Sequence, residues 1–285
     1  MPPVIETRNI AHTYSVGTPF EHDALRGVDF AAERGEYIGI IGQTGSGKST
    51  FIQHLNGLLK PKSGTILLDG ADIHETKEAT RRARFRVGLV FQFPEYQLFE
   101  ETVARDIAFG PRNMGLKQPE IDERVREAAG FVGLTPEQLE KSPFDLSGGQ
   151  KRRAAIAGVI AMRPEVLILD EPTAGLDPRG RGELLANIDA YREGRGATVI
   201  VVTHSMEEVA RRAGRICVFS DGKIVLQGAP AEIFEHSAAL LEMGLDIPVA
   251  ARVANRLRGL GVPLPRGVFT TSGLRDAILA ARPAQ

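Results

Sequence analysis

Short apolar runs bounded by turn residues divide most of the chain into strands. Residues 4–41 alternate apolar and polar positions, and the last of these runs, Tyr37–Ile41, leads directly into a glycine. Runs of about four to eight such residues between turns are typical of strands. We predict further strands at Val87–Phe91, Val166–Leu169, Thr198–Val202, Ile216–Phe219 and Lys223–Leu226. The Ser220–Gly222 segment joins the last two and has the composition of a hairpin turn.

Helical periodicity begins after Lys48, where apolar residues recur every three or four positions. It returns over residues 95–145, which are mostly polar and include a capping-box pattern at Thr135–Gln138. An alanine- and isoleucine-rich helix is expected next, up to Met162. We therefore predict a helical lobe, roughly residues 95–163, inserted into an α/β core.

The end of the chain is expected to form a small helical tail. Val249–Leu257 and Ser272–Leu279 are both amphipathic at helical spacing. We divide the chain into a main domain, residues 1–239, and a tail, residues 240–285. The tail either packs on the main domain or pairs with another subunit.

Composition narrows the possible functions. The 285 residues suffice for one large α/β domain with a lobe and a tail, and the net charge of -1 provides no basic field for nucleic acid. The single cysteine, Cys217, has apolar neighbours, which indicates a buried strand thiol in a reducing compartment. No signal pattern and no apolar run of roughly 20 residues is present, so we expect membrane contact only through a partner protein.

The segment from 42 to 49 has the spacing of a phosphate-binding loop, with a strand before it and a helix after it. Glycines let backbone N–H groups point at phosphate, and the helix adds its positive N-terminal end. Lys48 is expected to neutralise phosphate charge, Ser49 to bind Mg²⁺ and Thr50 to contact the α-phosphate. The predicted nucleotide-binding residues of this segment are Gly42, Gln43, Thr44, Gly45, Ser46, Gly47, Lys48, Ser49 and Thr50.

Two acids follow the strand Val166–Leu169. Asp170 can hold Mg²⁺, through water, and Glu171 can act as general base on the attacking water. His204 follows the strand Thr198–Val202, where it can reach a γ-phosphate.

Leu146–Gln150, with the sequence Leu-Ser-Gly-Gly-Gln, lies between the phosphate loop and the acidic pair. These three motifs in this order, with Gln92 and His204, resemble the ATP-binding cassette (ABC) family over roughly residues 4–235. The resemblance implies a P-loop NTPase fold, with a RecA-like mixed sheet, an antiparallel β subdomain, the inserted lobe and the tail. It also implies an ATPase that uses ATP and Mg²⁺ and works as a pair of cassettes.

The resemblance adds roles for particular residues. Gln92 would bind Mg²⁺ and report γ-phosphate occupancy to a partner, and Tyr14 would stack on adenine. The signature residues Ser147, Gly148, Gly149 and Gln150 would cap the γ-phosphate held by the opposite subunit, and Gly175–Asp177 would cross that interface. The implied catalytic set is Glu171, His204, Lys48 and Gln92, and the implied metal ligands are Ser49, Gln92 and Asp170.

The segment Phe91–Val103 is similar to the glutamine-loop segment of energy-coupling factor (ECF) ATPases, and Gln150–Val159 and Thr173–Arg181 are similar to the second, cobalt-transport-like, of their two ATPases. This branch implies the motor of an importer for vitamins or transition-metal ions at the cytoplasmic face of the cell membrane. The implied partners are a second ECF-type ATPase in a heterodimer, a transmembrane scaffold protein and a separate substrate-binding membrane protein.

Two alternatives stay open. One is the same motor on a conventional permease for amino acids or metals, and the other is a non-transport cassette acting on ribosomes or DNA. The single motor domain and the single cysteine disfavour the second.

Several charged residues have competing interpretations. Glu95, Glu100 and Glu101 are candidates for pairing with arginines of the scaffold, or are ordinary exposed carboxylates. The basic run Arg81–Arg86 is expected to be a solvated face, with a phospholipid-contacting patch as the alternative. Arg152 and Arg153 are expected at the surface or interface of their helix.

Overall fold

Two β-sheets and surrounding helices build the protein, as the α/β expectation requires. A computed structural model describes residues 2–281, so Met1 and residues 282–285 of the predicted tail lie outside the described part. The strands are β1 (Ile5–Tyr14), β2 (His22–Ala32), β3 (Tyr37–Gly42), β4 (Ser63–Leu68), β5 (Ala71–Asp72), β6 (Val87–Val90), β7 (Val166–Asp170), β8 (Thr198–Val202), β9 (Arg215–Ser220) and β10 (Lys223–Gly228).

The helices cover the lobe, the tail and the flanks of the sheets. They are α1 (Lys48–Leu55), α2 (Lys77–Arg86), α3 (Val103–Asn113), α4 (Gln118–Val132), α5 (Pro136–Leu139), α6 (Gly148–Ile160), α7 (Pro178–Arg195), α8 (Met206–Arg212), α9 (Pro230–Glu235), α10 (Ser237–Glu242), α11 (Val249–Gly259) and α12 (Thr271–Ala280). Within residues 2–281, none of them combines the length and the apolar character that a bilayer crossing requires.

The larger sheet is mixed, in the order β10-β9-β3-β8-β7-β6. Its neighbours pair in parallel except for β9 and β10, which form the predicted hairpin. The smaller sheet is antiparallel, in the order β2-β1-β4-β5. The predicted mixed core and antiparallel subdomain are therefore confirmed. Because β3, β6, β7 and β8 run in one direction, the segments after them meet at one edge of the sheet.

The apolar centre of the helical lobe is continuous with that of the core, since one buried cluster contains Ile107 of the lobe and Leu169 of β7. Residues 95–163 contain α3 to α6, and in this described range the chain forms no strand. Ile107, Val125 and Ile156 are buried where α3, α4 and α6 face each other. The capping box at Thr135 is present, with its side chain accepting from the Gln138 amide. The lobe thus holds α6 and the residues at its start as a firm unit beside the core.

The tail packs on the main domain. Leu240, Leu245 and Ala251 belong to the main core, and Phe269 stacks on Phe234 with ring centroids 5.8 Å apart. Beyond these contacts, α11 and α12 enclose a small apolar cluster around Ala254. Packing on the core is one of the two roles expected of the tail; pairing with another subunit stays a prediction.

Cys217 lies inside β9, where it pairs with Ile40 of β3, and its side chain has no exposed surface. Burial raises the pKa of its thiol to about 12. The prediction of a buried strand thiol is confirmed.

An ion cluster joins the two sheets. Arg34 donates to Glu165 at 2.9 Å and to Asp69, and Arg86 donates to Glu165 at 2.6 Å and to Asp69. The expectation that the whole basic run is a solvated face is therefore wrong for Arg86, whose partners lie on the strand connections beside it. Arg84 also bonds within the chain, to the Gly57 carbonyl at 3.0 Å.

Replacing Glu165 with glutamine should lower the free energy of unfolding by about 1 kcal/mol at neutral pH, a figure kept small because the cluster is partly exposed. The hydrogen bond from Arg86 lowers the pKa of Glu165 to about 2, from an ordinary 4.5. Ionised Glu165 therefore stabilises the folded protein above pH 4.5, and this contribution is lost as the pH falls toward 2. Urea unfolding should show that the free energy of unfolding falls less in the variant than in the wild type as the pH is lowered between these values. The surface pair of Glu6 with Arg8 supplies the control, because Glu6→Gln should change stability less than Glu165→Gln does.

Candidate active site

A cavity of about 350 Å³ opens where the parallel strands end. Segments far apart in sequence line it, because β3, β6, β7 and β8 finish at the same edge. Its lining consists of Tyr14, His22, Ala24, Thr44, Gly45, Gly47, Lys48, Ser49, Thr50, Gln92, Asp170, Glu171, Val202 and His204. Sequence reasoning missed His22, Ala24 and Val202, which carry no motif of their own.

The glycine loop before α1 wraps closely around its own lysine. Gly47 has φ 103°, and a Cβ there would stand 2.5 Å from the Ala24 carbonyl oxygen, so this position requires glycine. Lys48, only 6% exposed, donates from Nζ to the carbonyl oxygens of Gly42 at 2.6 Å and Gln43 at 2.7 Å. Burial lowers the pKa of Lys48, and the carboxylates of Asp170 and Glu171 oppose that shift. A cation is thus fixed inside a ring of backbone groups, as phosphate binding requires.

Three predicted loop residues do not line the cavity. Gly42 and Ser46 lie beneath the loop, where the Ser46 hydroxyl accepts from Lys48 Nζ at 3.4 Å. Gln43 faces a neighbouring cavity that it shares with Gly244–Asp246 of the tail. These residues can shape the loop through its backbone, while the side chains of Gln43 and Ser46 do not line the nucleotide cavity.

Ser49 and Asp170 provide oxygen ligands side by side. The Ser49 hydroxyl donates to Asp170 Oδ2 at 3.1 Å, and Asp170 is buried at the end of β7. Burial raises the pKa of Asp170, while Ser49 and Lys48 oppose the shift. A hydroxyl, a carboxylate and the Gln92 amide form a hard-oxygen set that fits Mg²⁺. Residues 2–281 bring no three His, Cys, Asp or Glu side chains together for a metal, so phosphate oxygens would have to complete this set.

Glu171 is held as a strained and poorly solvated carboxylate. Its backbone is left-handed, with φ 50°, which a non-glycine residue seldom adopts. Its Oε1 is buried without a hydrogen-bond partner among residues 2–281 and lies 3.5 Å from His204 Nε2. Burial, followed by the neighbouring Asp170 charge, raises the pKa of Glu171 to about 7. Such a group can accept a proton from water near neutral pH.

Tyr14 forms the opposite wall of the cavity. Its ring is partly exposed, and its hydroxyl lies 3.3 Å from Thr50 Oγ1 at the start of α1. An exposed aromatic face beside a phosphate-binding loop can stack on a nucleotide base.

Comparison with known proteins agrees with this geometry. Residues 25–174 match the family model described as ABC transporter. The energy-coupling factor transporter ATP-binding protein EcfA2 of Clostridium perfringens is 52% identical over 96% of this chain and 97% of its own length. The chain belongs to the ABC transporter family.

Solved structures place this family member among ATPase cassettes. The cbiO1 protein from Clostridium perfringens, part of the ABC transporter complex cbiONQ, matches with a TM-score of 0.75 and 38% identity, over 90% of this chain and all of that one. The cassette MJ0796, as a dimer bound to ADP and Pi, matches with a TM-score of 0.72 and 27% identity over 79% of this chain and 98% of that one. The expectation of an ECF-type ATPase is confirmed, and the conventional-permease and non-transport alternatives are not supported.

The signature residues of this ABC ATPase stand away from its own cavity. Ser147 begins α6 with a capping box: its hydroxyl accepts from the Gln150 amide at 3.4 Å, and Gln150 Oε1 accepts from the Ser147 amide at 2.9 Å. Ser147 and Gly148 are exposed, and Gly149 is half-buried. The start of α6 is therefore at the surface, where the positive end of the helix could attract an anion.

Arg152, one turn further along α6 of the cassette, is a buried residue and not a surface one. It is 3% exposed and pairs in bidentate fashion with Glu95, at 3.1 and 3.2 Å. It also donates to the Ala174 carbonyl, beside the segment Gly175–Asp177. The prediction of a surface or interface position is therefore wrong for Arg152, which ties the signature helix to the segment after Gln92.

The same pairing changes the interpretation of the acidic candidates. Glu95 is committed to Arg152, and Glu100 lies within 3.6 Å of Arg105 and 3.5 Å of Arg112. Only Glu101 of the three is largely exposed, at 80% of its side chain. It contacts Arg105 at the surface, where an ion pair exchanges easily.

Proposed function

We propose that this chain binds Mg²⁺-ATP in the cavity and hydrolyses it as the motor of an ECF-type importer for vitamins or transition-metal ions. One observation carries the proposal. Four separate segments converge on a single cavity beside an aromatic ring and supply Lys48, Gln92, the pair Asp170 and Glu171, and His204. Each has the chemistry that one part of ATP hydrolysis needs.

Binding uses the two ends of the cavity. Tyr14 would stack on adenine, while the loop N–H groups and Lys48 hold the β- and γ-phosphates. Ser49, Asp170 and Gln92 would hold Mg²⁺, which neutralises phosphate charge when bound. Binding must draw Lys48 Nζ from the Gly42 and Gln43 carbonyls toward phosphate oxygens, a small movement of one buried side chain.

Hydrolysis relies on Glu171 and His204. Glu171 takes a proton from the water whose oxygen bonds to the γ-phosphorus, and the bond from that phosphorus to the β–γ bridging oxygen breaks. His204 would donate a hydrogen bond to a γ-phosphate oxygen, which its half-exposed position at 3.5 Å from Glu171 permits.

Turnover needs a second cassette. The first turn of α6, with Ser147 to Gln150, would cap the γ-phosphate bound by the partner, and Gly175–Asp177 would cross the interface. The exposed start of α6 and the similarity to a dimeric cassette support this arrangement. We take the partner to be a second, unlike ECF-type ATPase, in agreement with the numbered name of the relatives.

An aromatic groove next to Gln92 is our candidate for the scaffold contact. A cavity of about 350 Å³ is lined by apolar side chains that include Phe85, Phe99, Phe109 and Met162. Phe99, which lines the groove, is 58% exposed, and Tyr96, which precedes the lining residue Gln97 in sequence, is 84% exposed. Exposed aromatic patches of this kind mark protein interfaces. A transmembrane scaffold with apolar helical ends would fit the groove, would hold the chain at the cytoplasmic face of the membrane and would couple it to a substrate-binding membrane protein.

Replacing Tyr96 with alanine should weaken association with the scaffold about tenfold, because large exposed aromatic side chains contribute strongly to binding where they enter an interface. ATP affinity should be unchanged, since Tyr96 does not line the nucleotide cavity. Val225→Ala, which removes an exposed apolar residue from β10, is the control. Quantitative co-purification from solubilised membranes measures the effect, and equal recovery of the scaffold with both variants would contradict the assignment.

The whole proposal is tested by affinity purification of the chain from gently solubilised native membranes, followed by mass spectrometry and an ATPase assay. We expect a second unlike ATPase, one scaffold protein and one or more small membrane proteins. Recovery of a conventional permease pair, or of ribosomes without membrane proteins, would overturn it.

A further inference from the structure

Four side chains close a circuit behind the aromatic wall of the cavity. The Tyr14 hydroxyl lies 3.3 Å from Thr50 Oγ1, and His54 Nδ1 lies 2.7 Å from the Thr50 carbonyl oxygen. His54 Nε2 lies 3.2 Å from His12 Nδ1. The His12 ring meets the Tyr14 ring edge to face, with centroids 4.5 Å apart and planes at 73°. Strand β1 and helix α1 are thus linked twice, once from the Tyr14 hydroxyl to Thr50 and once from His12, which packs on the Tyr14 ring, to His54.

The hydrogen bonds fix the tautomers of both histidines. A carbonyl oxygen only accepts, so His54 carries its proton on Nδ1. Burial lowers the pKa of His54 to about 4, so this ring is neutral near pH 7 and its Nε2 is an acceptor. His12 must then donate from Nδ1. The two rings also pack edge to face at 4.7 Å, so His12 has one favoured orientation against Tyr14.

Helix α1 carries the phosphate-binding residues Lys48, Ser49 and Thr50 in its first turn. The circuit ends on the same turn, at both the side chain and the carbonyl of Thr50. Tyr14 is therefore held at a set distance from the phosphate cradle, although it lies on another sheet. Without the circuit, Tyr14 would be the last residue of β1, with a partly exposed ring and no side-chain partner to hold it.

We propose that His12 and His54 are positioning residues that hold the Tyr14 ring at the base-to-phosphate spacing of ATP. The inference rests on the proposed function, since it requires that Tyr14 stack on adenine. If Tyr14 is ordered before the nucleotide arrives, the binding of the base no longer has to restrict that side chain. Only the binding of the base gains from this. A phosphate ligand without a base gains nothing from it.

The test is isothermal titration calorimetry of the full chain with Mg²⁺-ATP and, separately, with Mg²⁺-tripolyphosphate, which has no base. His54→Leu removes the link to His12, and His12→Phe removes it while keeping a ring against Tyr14. Both should weaken ATP binding about fivefold, the usual effect of one lost buried hydrogen bond, and leave tripolyphosphate binding unchanged.

Two further variants sharpen the result. The amide oxygen of His54→Gln can replace the Nε2 acceptor, so ATP affinity should return to within about twofold of wild type. His236→Ala, which changes an exposed histidine between α9 and α10, should alter the affinity for neither ligand. Parallel loss of both ligands, or no loss of ATP affinity in His54→Leu and His12→Phe, would overturn the positioning role. Failure of the wild-type chain to bind ATP at all would instead overturn the proposed function.

Discussion

Replacing Glu171 with glutamine will stop ATP turnover and leave ATP binding intact. Glutamine keeps the size of the side chain and cannot take the proton that the attacking water releases. We expect the hydrolysis rate to fall by about 10² to 10⁴, the usual contribution of a general base. The carboxylate also lies buried beside Asp170. Removing its charge should therefore not weaken the binding of an anionic nucleotide.

The measurement is steady-state ATPase activity of the assembled complex, together with the ATP affinity of the chain. An ATP-bound pair of cassettes should accumulate in Glu171→Gln and be visible by size-exclusion chromatography with ATP. Glu193→Gln, an exposed carboxylate on α7, is the matched control and should retain full activity. Turnover within twofold of wild type in Glu171→Gln would show that another group is the base.

Replacing Lys48 with alanine should weaken ATP binding itself, in contrast to Glu171→Gln, which should bind ATP without hydrolysing it. Lys48 is the buried cation of the loop, and its Nζ donates charge-assisted hydrogen bonds to the Gly42 and Gln43 carbonyls. Two such bonds to phosphate imply a loss of ATP affinity of about 10²-fold or more. Turnover should fall with it at any practical ATP concentration.

Calorimetry with Mg²⁺-ATP separates the two variants: Glu171→Gln binds and Lys48→Ala does not. Lys117→Ala, an exposed lysine before α4, controls for loss of one positive charge. Thermal unfolding of Lys48→Ala without ligand checks that the variant is folded, because the buried Gly42 carbonyl loses the Lys48 donor. Unchanged ATP affinity in this variant would remove the phosphate loop from the proposal.

Motifs that are local in sequence could be predicted, because their spacing encodes their geometry. The loop before Lys48 and the pair Asp170 and Glu171 each follow an apolar strand, and parallel strands bring such ends together. Strand β4 and helix α2 were not predicted. The first contains a glycine at 64, and the second buries only Ala83 among polar residues, so neither shows a clear period.

Pairings between distant elements could not be predicted from one sequence. Arg152 occupies a helical position that pattern alone assigns to the surface, and its burial depends on Glu95, fifty-seven residues earlier. His12 and His54 likewise look unremarkable apart, since each gains its role only when β1 meets α1. Spacing identifies the reacting groups, whereas the residues that orient them emerge from tertiary packing.

The burial of Cys217 has a practical consequence for following this motor at work. It is the only cysteine of the sequence, it has no exposed surface, and its thiol stays protonated near neutral pH because its pKa is about 12. Thiol-directed labels need an accessible thiolate. Lys117→Cys and Glu193→Cys, at exposed positions outside the nucleotide cavity and the signature residues, would therefore each take a single spin label or fluorophore in an otherwise native chain. Distances between such labels would record the opening and closing of the assembly in real time.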